Sequence, residues 1–152
     1  MQLTKNFHLD EFTKSMYATR HKLDNDPPGY VIDNLARLCE QLLQPLRDSY
    51  GKPIVIASGY RSRKVNEGIG GSTNSQHMTG EAADIDTTFD NKVLFDLIKD
   101  NLEWDQLIWE HGAITKPEWV HVSYTPINRR KEILRAYYDS DGILRYEPFD
   151  LY

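Results

Sequence analysis

The segment Ser75-Gln-His-Met-Thr-Gly-Glu-Ala-Ala-Asp-Ile-Asp86 brings an imidazole close to two carboxylates. If its second half is a strand, alternate side chains share a face, so Ala82, Asp84 and Asp86 point one way and Ala83 and Ile85 the other. Two carboxylates on one face repel unless a cation or hydrogen-bond donors sit beside them. His77 precedes Asp84 by seven positions, with the turn residue Gly80 between, and can fold back beside it. One imidazole and one carboxylate make half of a zinc site. The other half is available in Pro117-Glu-Trp-Val-His-Val-Ser-Tyr124. With Val120 and Val122 facing a core, Trp119, His121 and Ser123 face the other way. Glu118 has the opposite parity to His121, but it follows Pro117 and is expected in a turn or bulge that can aim its carboxylate at a ligand of the same metal. Three protein ligands plus an open position distinguish catalytic zinc from structural zinc. A plainer reading of the same residues stays open: Asp84 and Asp86 end a strand, Glu118 is a solvated turn residue, and the histidines are two of five.

The elements that would position these groups follow from patterning. Six of the nine glycines fall between Gly51 and Gly80, which marks that region as mostly loop and as the place for a site. Before it, Val31, Leu35, Leu38, Leu42 and Leu46 form the stripe of a long amphipathic helix. Pro27 and Pro28 suit its entrance and Gly51 its exit, and Pro45 is expected to kink it or end it near Gln44. Cys39 lies inside this helix as an inert thiol, since nothing near it in sequence would lower its pKa. Residues 53–60 read as a strand that delivers Arg61 to the loop. A strand is expected over 81–87, a helix over 91–102, strands over 106–110 and 119–124, and a hairpin over 133–146 turning at Ser140-Asp141-Gly142. The expected fold class is α+β, a mainly antiparallel sheet flanked by helices.

Composition narrows the function classes. A chain of 152 residues, 39% hydrophobic, is one domain's worth with enough apolar surface for a core. The single cysteine excludes an internal disulfide and any multi-thiolate metal site, so a metal here takes histidine and carboxylate ligands. Eighteen Lys and Arg against 23 Asp and Glu give a net charge of −5, which argues against an electrostatic grip on nucleic acid. No apolar run is long enough to span a bilayer, and the start MQLTKNFHLDEF lacks the apolar region of a secretory signal. The expectation is a protein made in the cytoplasm and released by other means. The cluster Arg129-Arg-Lys131 with Arg135 is balanced by Glu132, Asp139, Asp141, Glu147 and Asp150, and reads as a solvated face more than a grip on anionic wall polymers.

Taken together, Ser58-Gly-Tyr-Arg-Ser62, Asn66, Gly70-Gly71, Ser75-x-His77-x-x-Gly80-x-Ala82-x-Asp84 and Glu118-x-x-His121 resemble the zinc D-Ala-D-Ala carboxypeptidases and L-alanyl-D-glutamate endopeptidases of bacterial cell-wall metabolism, a group that shares its metal core with the hedgehog signalling domain. The resemblance covers a core of about 39–124 within a single domain of 1–152, leaving 125–152 as an extension. It implies a hedgehog-like α+β fold, Zn2+ held by His77, Asp84 and His121, Glu118 as catalytic base and Arg61 as the cation lining the site. Ser75, Gln76 and Tyr60 are expected to touch substrate, with core packing the other role open to Tyr60. Asp86 is expected to support a ligand histidine or cap the strand, while Glu110 and His111 receive no role. The implied reaction is hydrolysis of a peptide bond in peptidoglycan stem peptides by zinc-activated water, at the terminal D-Ala-D-Ala bond or, alternatively, inside the stem as an endolysin. A metal-stabilised binding module without turnover is the rival. The expected protein is a monomer acting on the cell wall after release, with a phage origin and holin or virion delivery fitting its small size.

Overall fold

The computed structural model describes residues 1–149; Asp150, counted above in the charge balance, lies outside the described residues with the rest of the extension's end. A short ribbon of β1 (Gln2–Thr4) and β2 (Phe7–His8) leads into α1 (Leu9–Thr13) and α2 (Met16–His21). His8 opens α1 with a capping box, its ring accepting from the Asp10 amide while Glu11 reaches back to the His8 amide.

The helix expected from the Val31 stripe is present, and Pro45 distorts it without ending it near Gln44. It runs as α3 (Gly29–Leu38), a π turn over Cys39–Leu43 and α4 (Gln44–Tyr50). Proline lacks an amide, and its ring collides with the carbonyl four residues back in a regular helix. The wider turn, in which the Gln44 amide donates to the Cys39 carbonyl, relieves that collision one residue early. Gly51 closes α4 at φ 77°. Cys39 faces the core, where burial pushes its thiol pKa far up, in keeping with an inert thiol.

After β3 (Val55–Ser58) come α5 (Arg63–Gly68), a 3₁₀ turn at Gln76–Met78, β4 (Ala82–Asp86), α6 (Asn91–Asn101), β5 (Gln106–Glu110), β6 (Trp119–Ser123), β7 (Glu132–Tyr138) and β8 (Leu144–Pro148). The last six strands form one sheet in the order β3-β4-β6-β5-β7-β8. Every pair is antiparallel except β5 with β7, so the α+β expectation of a mainly antiparallel sheet holds. The parallel pair arises because the chain crosses from the end of β6 back to the edge of β5, and the expected hairpin then extends the sheet by two strands.

One face of this sheet is dry. Ala83, Ile85, Leu107, Trp109, Val120 and Val122 pack there against Leu35, Leu38, Leu42 and Leu46 of the long helix and Leu94, Phe95 and Ile98 of α6. Trp109 is completely buried in edge-on contact with Phe95, so it belongs to the core and not to a cleft. The opposite face carries Ala82, Asp84, Ile108, Glu110, Trp119, His121 and Ser123, the alternate residues of the same strands. Among the described residues no helix is long and apolar enough to cross a membrane.

Candidate metal centre

β4 and β6 pair so that Asp84 stands directly opposite His121. Their side chains rise from the same face, and His121 Nδ1 lies 3.0 Å from Asp84 Oδ1. His77 arrives from the 3₁₀ turn. Its backbone is fixed on both sides: the Ser75 hydroxyl accepts from the His77 amide, and the Arg61 amide donates to the His77 carbonyl. The ring is fixed too, because His77 Nδ1 lies 2.7 Å from the Gly59 carbonyl. A carbonyl only accepts, so Nδ1 carries the proton and Nε2 offers its lone pair.

Two glycines make this approach possible. A Cβ on Gly59 would sit 2.6 Å from the Phe12 backbone, so only glycine lets the end of β3 lie against α1 and present its carbonyl to His77. Gly80 turns the chain from the 3₁₀ segment into β4 at φ 78°, where a Cβ would sit 2.6 Å from the Val31 carbonyl of α3.

The consequence is a triangle of donor atoms from His77, Asp84 and His121, all within 4.8 Å of one another. His77 Nε2 lies 3.4 Å from Asp84 Oδ1, is fully buried, and makes no hydrogen bond among the described residues. An orphaned imidazole nitrogen aimed at a carboxylate is a costly arrangement without a third party. A tetrahedral zinc with bonds of about 2.0–2.2 Å separates its ligand atoms by about 3.3–3.6 Å. The two separations of 3.0 and 3.4 Å fall near that range. Two neutral imidazoles and one carboxylate also match the donor set of open, catalytic zinc. Burial alone would push the Asp84 carboxyl up, but the neighbouring His77 and His121 hold it well below the usual carboxylate range.

The other residues expected at the site divide sharply. Arg61 is half-buried, and burial lowers its guanidinium pKa against the opposing pull of Asp84 and Glu110. Its Nε is buried with no hydrogen-bond partner among the described residues, while Nη1 lies near Gly71. Glu118 is exposed at the lip of the sheet. It lines a groove of about 550 Å³ with His111, Trp119, Arg135, Tyr137 and Tyr138, and its amide donates to the Glu110 carbonyl. Glu110 also carries a carboxyl on the face of the cluster. It lies opposite Trp119, two residues along β5 from Ile108, which in turn is opposite His121. Burial and the Asp84 charge raise the Glu110 carboxyl to about 7, against the pull of His121 and Arg61. Sequence reasoning left Glu110 without a role. The alternation in Gln106-Leu-Ile-Trp-Glu110 puts it opposite in parity to core Trp109, but only the register with β6 sets it beside His121.

The three residues expected to touch substrate are each tied into the scaffold. Tyr60 is buried in the core, its carbonyl accepting from the Asn25 amide. Ser75 caps the 3₁₀ turn. Gln76 commits both ends of its amide to the protein, donating to Asp105 and accepting from Arg130. Asp86 does not support a histidine, because it accepts from Asn91 at the start of α6. The basic cluster is paired with acids, Arg129 and Lys131 with Glu103 and Arg130 with Asp105.

Asp105 ties this loop to the sheet. Burial pushes its carboxyl up, and hydrogen bonds from Arg130 and Gln76 pull it further down, so it ends below its ordinary value. A depressed folded-state pKa contributes stability above the unfolded value of about 4 that is lost as pH falls through the folded one. Asp105→Asn is therefore expected to lower stability to urea by about 1–3 kcal/mol at pH 7, with the gap to wild type closing below about pH 4. An equal gap at pH 3 and pH 7 would contradict the ionic role.

A family model described as Peptidase M15 matches residues 5–123. The chain belongs to the peptidase M15 family. The matched span takes in His77, Asp84, Glu110 and His121 and ends with β6, so the β7–β8 hairpin of this M15 peptidase lies beyond it. Over 75 residues the chain is 48% identical to a zinc D-Ala-D-Ala carboxypeptidase of Streptomyces albus G, a match that covers 45% of this chain and 29% of the relative. The M15 chain thus spans less than a third of that relative's length.

Proposed function

We propose that this M15 peptidase is a zinc-dependent hydrolase of peptidoglycan stem peptides, acting on the cell wall at the terminal D-Ala-D-Ala bond. The observation that carries the reading is the buried, unpartnered Nε2 of His77 converging with Asp84 and His121 on one point. Zinc held by these three residues supplies Lewis acidity toward a peptide carbonyl and toward water. The similarity to a zinc D-Ala-D-Ala carboxypeptidase supports both the metal and the bond.

The chain's own residues divide the remaining work. Glu110 is the general base: it takes a proton from the attacking water and returns it to the leaving amine nitrogen. Its position on the His121 face and its burial support this role, whereas Glu118, the glutamate that the resemblance points to, is exposed. Zinc at the cluster would draw the Glu110 carboxyl down from about 7 toward the range of a proton acceptor at neutral pH. Arg61, cationic and incompletely paired, holds the oxygen on which negative charge develops. Ile108, buried and directly opposite His121, gives the site an apolar floor that strengthens these interactions.

Incubation of the zinc-loaded protein with a soluble stem pentapeptide, followed by mass spectrometry, tests the reading. Loss of one terminal alanine is expected. Cleavage between L-Ala and D-Glu instead would make the enzyme an endopeptidase, and an intact peptide would overturn the hydrolase.

A further inference from the structure

The hairpin of β7 and β8 lies beyond the matched family region, yet it continues the catalytic face of the sheet. The register runs Trp119, Glu110, Ala136, Tyr146 across four adjacent strands, from β6 through β5 and β7 to β8. Side chains in such a row rise from the same face. Between Glu110 and Tyr146 stands only Ala136, which is completely buried. Two strand spacings separate Glu110 from Tyr146, about 10 Å, and a tyrosine leaning over alanine can cover most of that distance. A larger residue at Ala136 would stand in its way.

The electrostatics agree with that lean. Tyr146 and the Arg61 guanidinium lie close enough for each to perturb the other's titration. Burial, Glu110 and Asp84 raise the Tyr146 phenol above its ordinary value, so its hydroxyl stays protonated and able to donate. Even so, Tyr146 is 53% exposed, which leaves it open to a ligand from solvent. The neighbouring hairpin tyrosines behave differently. Tyr137 sits at odd parity and its phenol bonds Glu147, while Tyr138 stacks on His111.

We infer that the β7–β8 hairpin is a wall of the active-site cleft and that Tyr146 contacts substrate, its phenol hydroxyl donating a hydrogen bond to a carbonyl or carboxylate oxygen of the peptide that Arg61 also holds. This rests on the proposed peptidase reading and adds to it a substrate-binding residue from outside the matched family region. A cleft built on β4, β5 and β6 alone would be open on the β5 side. Beside Glu110 the hairpin supplies small Ala136 as floor and Tyr146 as rim.

The test is the steady-state hydrolysis of a stem pentapeptide by zinc-loaded wild type, Tyr146→Phe and Tyr137→Phe, with zinc content and melting temperature measured on each. Tyr146→Phe is expected to lose about tenfold or more in kcat/KM, the equivalent of one lost hydrogen bond to a charged group, at unchanged zinc content and melting temperature. Tyr137→Phe is expected to match wild type. Equal kcat/KM for Tyr146→Phe and wild type would overturn the inference and leave the peptidase reading standing. A loss in Tyr146→Phe matched by an equal loss in Tyr137→Phe would also overturn it, since the hairpin would then act only through its stability. Wild type that leaves the peptide intact would overturn the peptidase reading and this inference with it.

Discussion

Glu110→Gln should lose about 10²–10⁴ in turnover while keeping its zinc and its fold. Glutamine fills the same volume, accepts hydrogen bonds and cannot take a proton, so the change isolates the proton transfer. Glu110 is buried, and burial disfavours a charge there, so a neutral amide is not a structural insult. Glu118→Gln is the matched control. Its side chain lies at the exposed lip, and its turnover should stay within about twofold of wild type, the scale of a surface substitution. The two variants together decide between the carboxylates: a large loss in Glu118→Gln with a normal Glu110→Gln would restore the assignment that the Glu-x-x-His spacing suggests.

His77→Ala should abolish activity by releasing the metal. The expected loss of zinc affinity exceeds about 100-fold, above the 10–100-fold typical when only an outer partner of a ligand is removed. Chelator competition measures it directly. A second readout guards against simple misfolding, because alanine leaves a cavity at a residue that is only 2% exposed. Wild type saturated with zinc at about 100 times its dissociation constant gains about 2.7 kcal/mol of stability, and the variant should gain none while still unfolding cooperatively without metal. Zinc bound to His77→Ala as tightly as to wild type would remove His77 from the ligand set.

Much of this site is legible in the sequence. Alternation alone put Asp84 on one face of its strand and His121 on the non-core face of another, and the structure pairs them directly. The glycine-rich stretch from Gly51 to Gly80 correctly marked where the chain bends back, since Gly59 and Gly80 permit the two close approaches that bring His77 to Asp84. What stayed hidden depends on register and on crossings between distant strands. Glu110 reaches the metal face only because β5 pairs with β6 at that offset, and Tyr146 only because β7 adds to β5 in parallel. Neither fact leaves a local trace in sequence. The scaffold bonds of Gln76 stayed hidden for a related reason: a polar residue beside a ligand histidine suits substrate binding and scaffold bracing equally, and its partner Asp105 is 29 positions away. At Pro45 the local rule was sound but incomplete, because a π turn offered the helix a way through.

Titrating zinc into the metal-free protein while following stem-peptide hydrolysis tests the central claim most directly. The account predicts no turnover without zinc and a linear rise that breaks at one zinc per chain, with the break absent in His77→Ala. Full activity in the metal-free protein, or none after one equivalent of zinc has bound, would contradict it.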